Sequence, residues 1–270
     1  MESKDHELTG NDYERLKRAV TLLENPRWTA KVTDLIGMPI EWAIERLPKR
    51  ANQIISKATT KAIWQALNAA VATMNARHKG RPKRWMHKGA VAASGAIGGF
   101  FGFGGLMLEL PTSTTIMLRS IADIARSEGE DISSVDTQLS CIQVFALGGK
   151  SKSDDSTESG YFAIRMALAK ISSEAAEFVA EKGIVDEGAP ILVKLVARIA
   201  ARFEVVISEK TSTQIIPVIG AVSGSTINLL FIEHFQSVAT GHFIVRSLER
   251  KYGEETIRTA YTSIARSINK

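Results

Sequence analysis

The sequence predicts an all-α protein, a multi-helix bundle of helical hairpins with two central glycine-rich apolar helices. Three observations predict it. Apolar residues recur at three-and-four spacing along most of the 270 residues, and no segment reads convincingly as a strand. Between Lys88 and Glu109 lie twenty uncharged residues, seven of them glycine, with Gly95/Gly99 and Gly98/Gly102 each four apart. A second uncharged run, Thr211–Ile232, repeats the spacing at Gly220 and Gly224. On a helix such spacing makes a smooth stripe on which another backbone lies closely, so these six glycines are the expected helix-packing positions.

Hydrophobic residues make up 44% of the chain, enough for a sizeable core, and the length fits one large helical domain or two closely joined halves. The single cysteine, Cys141, excludes an intrachain disulfide and a multi-cysteine metal site, the habit of a reducing compartment. The polar start MESKDHELTGNDYERLK has no basic-then-apolar export signal, so a cytoplasmic protein is expected. With 34 basic against 29 acidic residues, the surface is mixed and only mildly favours anionic partners.

In chain order, Asn11 caps a helix with Tyr13, Leu16, Val20 and Leu23 on one face. Residues 1–21 form an N-terminal helix or tail, and 22–270 a single domain. Gly37, Pro39 and Pro48 break the next segment into short helical pieces. From Arg50 to about Met74 a longer helix places Ile55, Ala58, Ala62, Ala66 and Ala70 on one side. Arg77–Lys88 reads as an exposed basic loop, followed by the first uncharged run. Pro111 starts a new helical turn, and Gly129 ends that helix. Val135 opens a short buried helix that stops at Gly148 and Gly149, and a polar surface loop occupies the region near 150–160. The second half holds a helix from Tyr161 to Gly183, one from Pro190 with Leu192, Leu195, Val196, Ile199, Phe203 and Val206 inward, a long one ending at Gly253, and a last one striped by Ile257, Tyr261, Ile264 and Ile268. A displacement of 124 sets Glu109 on Glu233 and Gly129 on Gly253, suggesting two similar hairpins face to face.

Four blocks, SGAIGGFFGFGGLMLELPTSTTIMLRSIADIARSEGED, CIQVFALGG, IPVIGAVSGSTIN and GHFIVRSLERKYG, in this order and at these separations, resemble the EcsC family of bacterial proteins from about Leu22 onward. The resemblance implies an association, by name and gene neighbourhood, with an ABC transporter system linked to secretion. It implies no reaction and no catalytic residues.

Enzyme motifs fail on their own terms. Lys150 and Ser151 follow Gly149, but a phosphate loop needs glycine where Val144 stands. Ser223 is one place off a nucleophile elbow, and Met107 replaces the third glycine of a dinucleotide fingerprint. No catalytic residue, cofactor or metal is expected; His234 and His242 are eight apart, outside any metal-pair spacing. Glu109, Glu233, His234, His242 and Arg246 interrupt apolar helices and need partners, so they are read as a buried polar cluster fixing how the halves dock. Arg246 has a local candidate in Glu249 and a distant one in Glu109. Lys83, Arg84, Trp85 and Lys88 are the expected membrane or anion contact, Trp85 being placed as an interfacial anchor. The expected partner is an anionic lipid or a membrane protein, not nucleic acid; the sequence sets no oligomeric state. The function so read is a non-catalytic accessory role, peripheral on the inner face of a membrane. A carrier of lipid or another apolar ligand and a hydrolase-like enzyme are the alternatives.

Overall fold

The computed structural model describes residues 8–24, 31, 44–45, 47, 49–73, 102–149, 160–183, 185–213 and 223–268. Among them the regular structure is helical throughout: α1 (Gly10–Glu24), α2 (Lys49–Thr73), α3 (Gly102–Ser127), α4 (Val135–Leu147), α5 (Gly160–Lys182), α6 (Pro190–Thr213), α7 (Ser223–Tyr252) and α8 (Glu254–Ile268). The fold is an all-α bundle.

The most enclosed element is α4. Ten of its 13 residues are buried, and α2, α3, α5, α6 and α7 all pack on it. A helix that is apolar nearly all round can be satisfied only by neighbours on every side. Its start is fixed locally: the Ser134 hydroxyl accepts from the Thr137 amide at 3.2 Å, the usual service of an N-cap. Its end is fixed by crowding. A Cβ on Gly149 would stand 2.2 Å from the Arg202 carbonyl oxygen of α6, so only glycine lets the two backbones approach.

Around this centre, α2 buries Ala51, Ile55, Ala58, Ala62, Ile63, Ala66, Leu67 and Ala70 against α3, α4 and α6. The alanine stripe allows a close crossing. Gly129, Gly183 and Gly253 end α3, α5 and α7 with φ of +85°, +68° and +87°, in the left-handed region that glycine enters without a Cβ penalty. The Glu130 amide then reaches back to the Ala125 carbonyl at 3.0 Å, closing the end of α3.

Two expectations are corrected. Pro111 does not start a helix; α3 runs through it. Proline removes one backbone donor there, and nearby hydroxyls serve the carbonyls of this stretch: Thr112 donates to Leu108 O at 3.0 Å, Ser113 to Leu110 O at 3.1 Å and Thr115 to Pro111 O at 2.9 Å. Tyr13 is not on the buried face of α1 but 44% exposed. Asp12 points inward instead, where its carboxylate accepts from Lys251 at 2.7 Å and from the Tyr252 hydroxyl at 2.8 Å.

Helix α1 packs on α7 and α8, with Leu16, Ala19 and Val20 buried. The boundary at 21/22 therefore falls inside a helix that is docked along its length. Its crossing with α7 is close: a Cβ on Gly241 would lie 2.7 Å from Leu23 Cγ and 3.1 Å from Ala19 O.

Candidate functional site

Ionisable and aromatic side chains gather where α7 passes α4, α5 and α8. One face of α7 carries His242, Arg246, Glu249 and Arg250, spaced so that all four point the same way. On α5, Tyr161 and Arg165 stand one turn apart and face them. The Arg165 guanidinium forks onto Glu249 at 2.7 and 3.1 Å and also donates to the Tyr161 oxygen at 3.2 Å. Tyr161 Oη lies 2.9 Å from His242 Nδ1, and the tautomer of the ring sets which of the two donates. His242 Nε2 is buried and meets no hydrogen-bond partner.

Beside it, Glu130 gathers donors from two helices. Arg246 reaches its two oxygens at 2.8 and 3.2 Å, Arg250 donates to the same carboxylate, and the Thr137 hydroxyl adds a bond of 3.1 Å. Burial alone would raise the Glu130 carboxyl, but the guanidiniums of Arg246 and Arg250 outweigh it and hold it below its ordinary value. His242 moves the other way from a cation's needs: burial, then the charges of Arg165 and Arg246, push its pKa well below 6.5 and keep it neutral. Burial pushes the Cys141 thiol and the Tyr161 phenol up, so neither ionises in the neutral range. Tyr161 stacks on Tyr261 of α8 at 5.4 Å, and the Tyr261 hydroxyl donates to Glu24 of α1 at 2.8 Å.

The five residues expected to form one cluster are divided among four places. Only His242 and Arg246 belong to this network. Glu109 accepts from Lys210 of α6 at 2.9 Å in a buried pair, with the Lys210 ammonium 4.6 Å over the Phe231 ring. Glu233 lies toward the surface, 3.4 Å from Lys31. His234 Nε2 bonds the Gly148 carbonyl at 2.9 Å, where Arg202 also donates to the Ala146 and Gly149 carbonyls, so both serve the open end of α4. Burial lowers His234 to about 4 against the smaller opposing effect of that bond, so it donates as a neutral ring.

Sequence reasoning did not single out Glu130, Tyr161, Arg165 or Lys210. Tyr161 and Arg165 were detectable as an i, i+4 pair whose tyrosine sits on the apolar stripe; Glu130 carried no signal beyond its place after Gly129. Of the helix-packing glycines, Gly102 opens α3 and Gly224 is the second residue of α7, while Gly95, Gly98, Gly99 and Gly220 lie outside the described residues, as do Lys83, Arg84, Trp85 and Lys88. The glycines whose close contacts are visible are Gly148, Gly149 and Gly241.

The family model of the EcsC protein family matches residues 2–248. The chain belongs to the EcsC protein family. No curated protein and no solved structure matches it. The EcsC match takes in α1 and nearly all of α7, hence Glu130, Tyr161, Arg165, His242 and Arg246, and stops before Glu249 and α8. Chemically, the site of this EcsC chain can orient helices strongly. Its carboxylates are held by guanidiniums and its histidine and tyrosine by one another. Among the described residues, no group of three or more His, Cys, Asp or Glu could hold a metal ion.

Proposed function

We propose that this EcsC chain is a non-catalytic accessory protein attached peripherally to the cytoplasmic face of a membrane through anionic lipid. The observation that carries the reading is the adjacency of Arg77–Lys88, with six Lys or Arg around Trp85, to the uncharged run that follows. Lys and Arg near an anionic surface each contribute about 1 kcal/mol, and tryptophan favours the interface. Leu108, the last residue of that run, stands 73% exposed on α3. No helix among the described residues is long and apolar enough to cross a membrane, and the reading needs none. Interior charges engaged with one another across helix crossings suit a docking scaffold. A membrane protein such as an ABC transport complex, the association implied by the family resemblance, is the kind of partner such a scaffold would sit beside.

Flotation tests this. The protein should purify without detergent, float with vesicles containing anionic lipid, and be released by roughly half-molar salt, where the screening length has fallen to about 4 Å. Replacing Lys83, Arg84 and Lys88 together with Gln should abolish flotation while the far-UV spectrum stays helical. A protein that never floats, or that only detergent extracts, refutes the reading.

A further inference from the structure

Charge is distributed unevenly along the chain. From Arg46 to Leu108 there are 11 of the 34 Lys and Arg and none of the 29 Asp and Glu, so a chain of net +5 carries +11 in this segment and an excess of acid elsewhere. Such asymmetry points to an anionic partner for the basic part. Among the described residues, all of that segment's Lys and Arg lie on helix α2. Its 25 residues include Lys49, Arg50, Lys57 and Lys61 and no acid. Its apolar side is fixed against α3, α4 and α6, which settles the side that faces outward.

On that outward side Arg50, Lys57 and Lys61 are exposed, and Trp64 is half-buried with its inner part on the core. Lys57, Lys61 and Trp64 follow at four-and-three spacing, one stripe along the helix. They line an open groove of about 650 Å³ with Ser56, Thr60 and Asn68. The acid at its edge, Glu187, accepts from Asn68 Nδ2 at 3.1 Å. Cationic side chains flanking an indole above a groove with hydroxyls and an amide match an anionic phospholipid surface: phosphates for the lysines and arginine, the headgroup boundary for the indole.

We propose that the outward face of α2, with Arg50, Lys57, Lys61 and Trp64, is a second lipid-contacting surface that lies against an anionic bilayer. The proposal rests on the membrane reading above and adds to it a surface on α2, which ends at Thr73, four residues before Arg77 in the sequence. A bilayer is favoured over nucleic acid because the indole stays half-buried against the core beside the lysines, as an interfacial anchor does, whereas base stacking needs a ring face free to receive the base.

The test measures partitioning onto vesicles with and without phosphatidylglycerol. Lys57→Gln with Lys61→Gln should weaken partitioning about thirty-fold, by loss of two surface lysines. Lys170→Gln with Lys182→Gln removes two exposed charges from α5 and should change it less than threefold. Trp64→Phe keeps an aromatic ring in the same seat and should remove part of the tryptophan quenching caused by brominated lipid. If wild type partitions and the triple variant at Lys83, Arg84 and Lys88 does not, yet Lys57→Gln with Lys61→Gln behaves as wild type, the α2 surface is overturned and the membrane reading survives. If wild type does not partition at all, both fall. Quenching unchanged by Trp64→Phe, or binding to duplex DNA lost in the Lys57/Lys61 variant when vesicles are ignored, also overturns the proposal.

Discussion

Removing one member of the Glu109–Lys210 pair should destabilise the protein far more than removing both. The pair joins α3 to α6 at 2.9 Å with side chains only 6% and 1% exposed, so neither charge has water to fall back on. Replacing Glu109 with Leu removes the carboxylate that Lys210 donates to beside the Phe231 ring; replacing Lys210 with Met leaves a buried carboxylate. Each single change is expected to cost about 3 to 5 kcal/mol, as for other broken buried pairs. The double change substitutes an apolar contact of similar volume and should cost less than either single one. Urea unfolding at neutral pH reads this directly, through shifts of midpoint at constant slope. The pairing of Glu109 with Arg246 that sequence allows predicts a different cycle. In the structure Glu109 lies near the start of α3 and Glu130, which holds Arg246 of α7, lies beyond its last turn, on the order of 25 Å of helix away. Changes at Glu109 and Arg246 should therefore add within about 0.5 kcal/mol. Additivity at Glu109 and Lys210, or coupling of several kcal/mol between Glu109 and Arg246, would refute the argument.

Stability should fall with acid before the carboxylates titrate. His234 goes from an ordinary 6.5 in the unfolded chain to about 4 when folded, so the unfolded state takes up the proton first; stability is full above about pH 6.5 and is lost progressively toward pH 4, by roughly 2 kcal/mol at pH 5 from this residue alone. His234→Asn, which keeps a donor for the Gly148 carbonyl, should flatten that slope, and an unchanged urea midpoint between pH 7 and 5 in the wild type would contradict it. Gly149→Ala should destabilise by about 1 to 3 kcal/mol, because the added methyl meets the Arg202 carbonyl, whereas Gly10→Ala meets nothing within 4 Å and should stay within about 0.5 kcal/mol; equal melting temperatures for the two variants would dismiss the close crossing of α4 and α6.

Much of the fold was legible because it depends on local rules. The stripe Ile257, Tyr261 and Ile264 is buried, as are Leu192, Leu195, Val196, Ile199, Phe203 and Val206, since a 3.6-residue period dictates which face can leave water. Gly129, Gly183 and Gly253 were readable as stops because their positive φ is a property of one residue. Pro111 misled, because its effect on a helix depends on what else the turn can satisfy, and three hydroxyls lie close by. The polar site was the least legible. That His242 and Arg246 needed partners followed from their apolar surroundings; which partners they found did not, because Tyr161 is 81 residues from His242 and Glu130 is 116 from Arg246. Spacing within one helix reports a face, and only the crossing of two helices reports a pair.

Those crossings explain why so many polar groups are kept inside a bundle that has ample apolar surface. Helix α7 is 30 residues long and is held at successive turns by different neighbours. Gln236 donates to Ser120 of α3 at 2.8 Å, His234 bonds the carbonyl end of α4, His242 and Glu249 meet α5, Arg246 and Arg250 close on Glu130, and Lys251 and Tyr252 reach Asp12 of α1. The apolar contacts among these helices are made mostly by alanine, isoleucine, leucine, valine and phenylalanine, which tolerate repacking so long as volume is conserved. Polar ties do not. A slip of α7 by one turn, about 5.4 Å, would break every one of them together and strand several charges at once. The ties therefore select a single register among packings that burial alone separates poorly, and through α4 and α6 they fix the setting in which α2 turns its basic face outward.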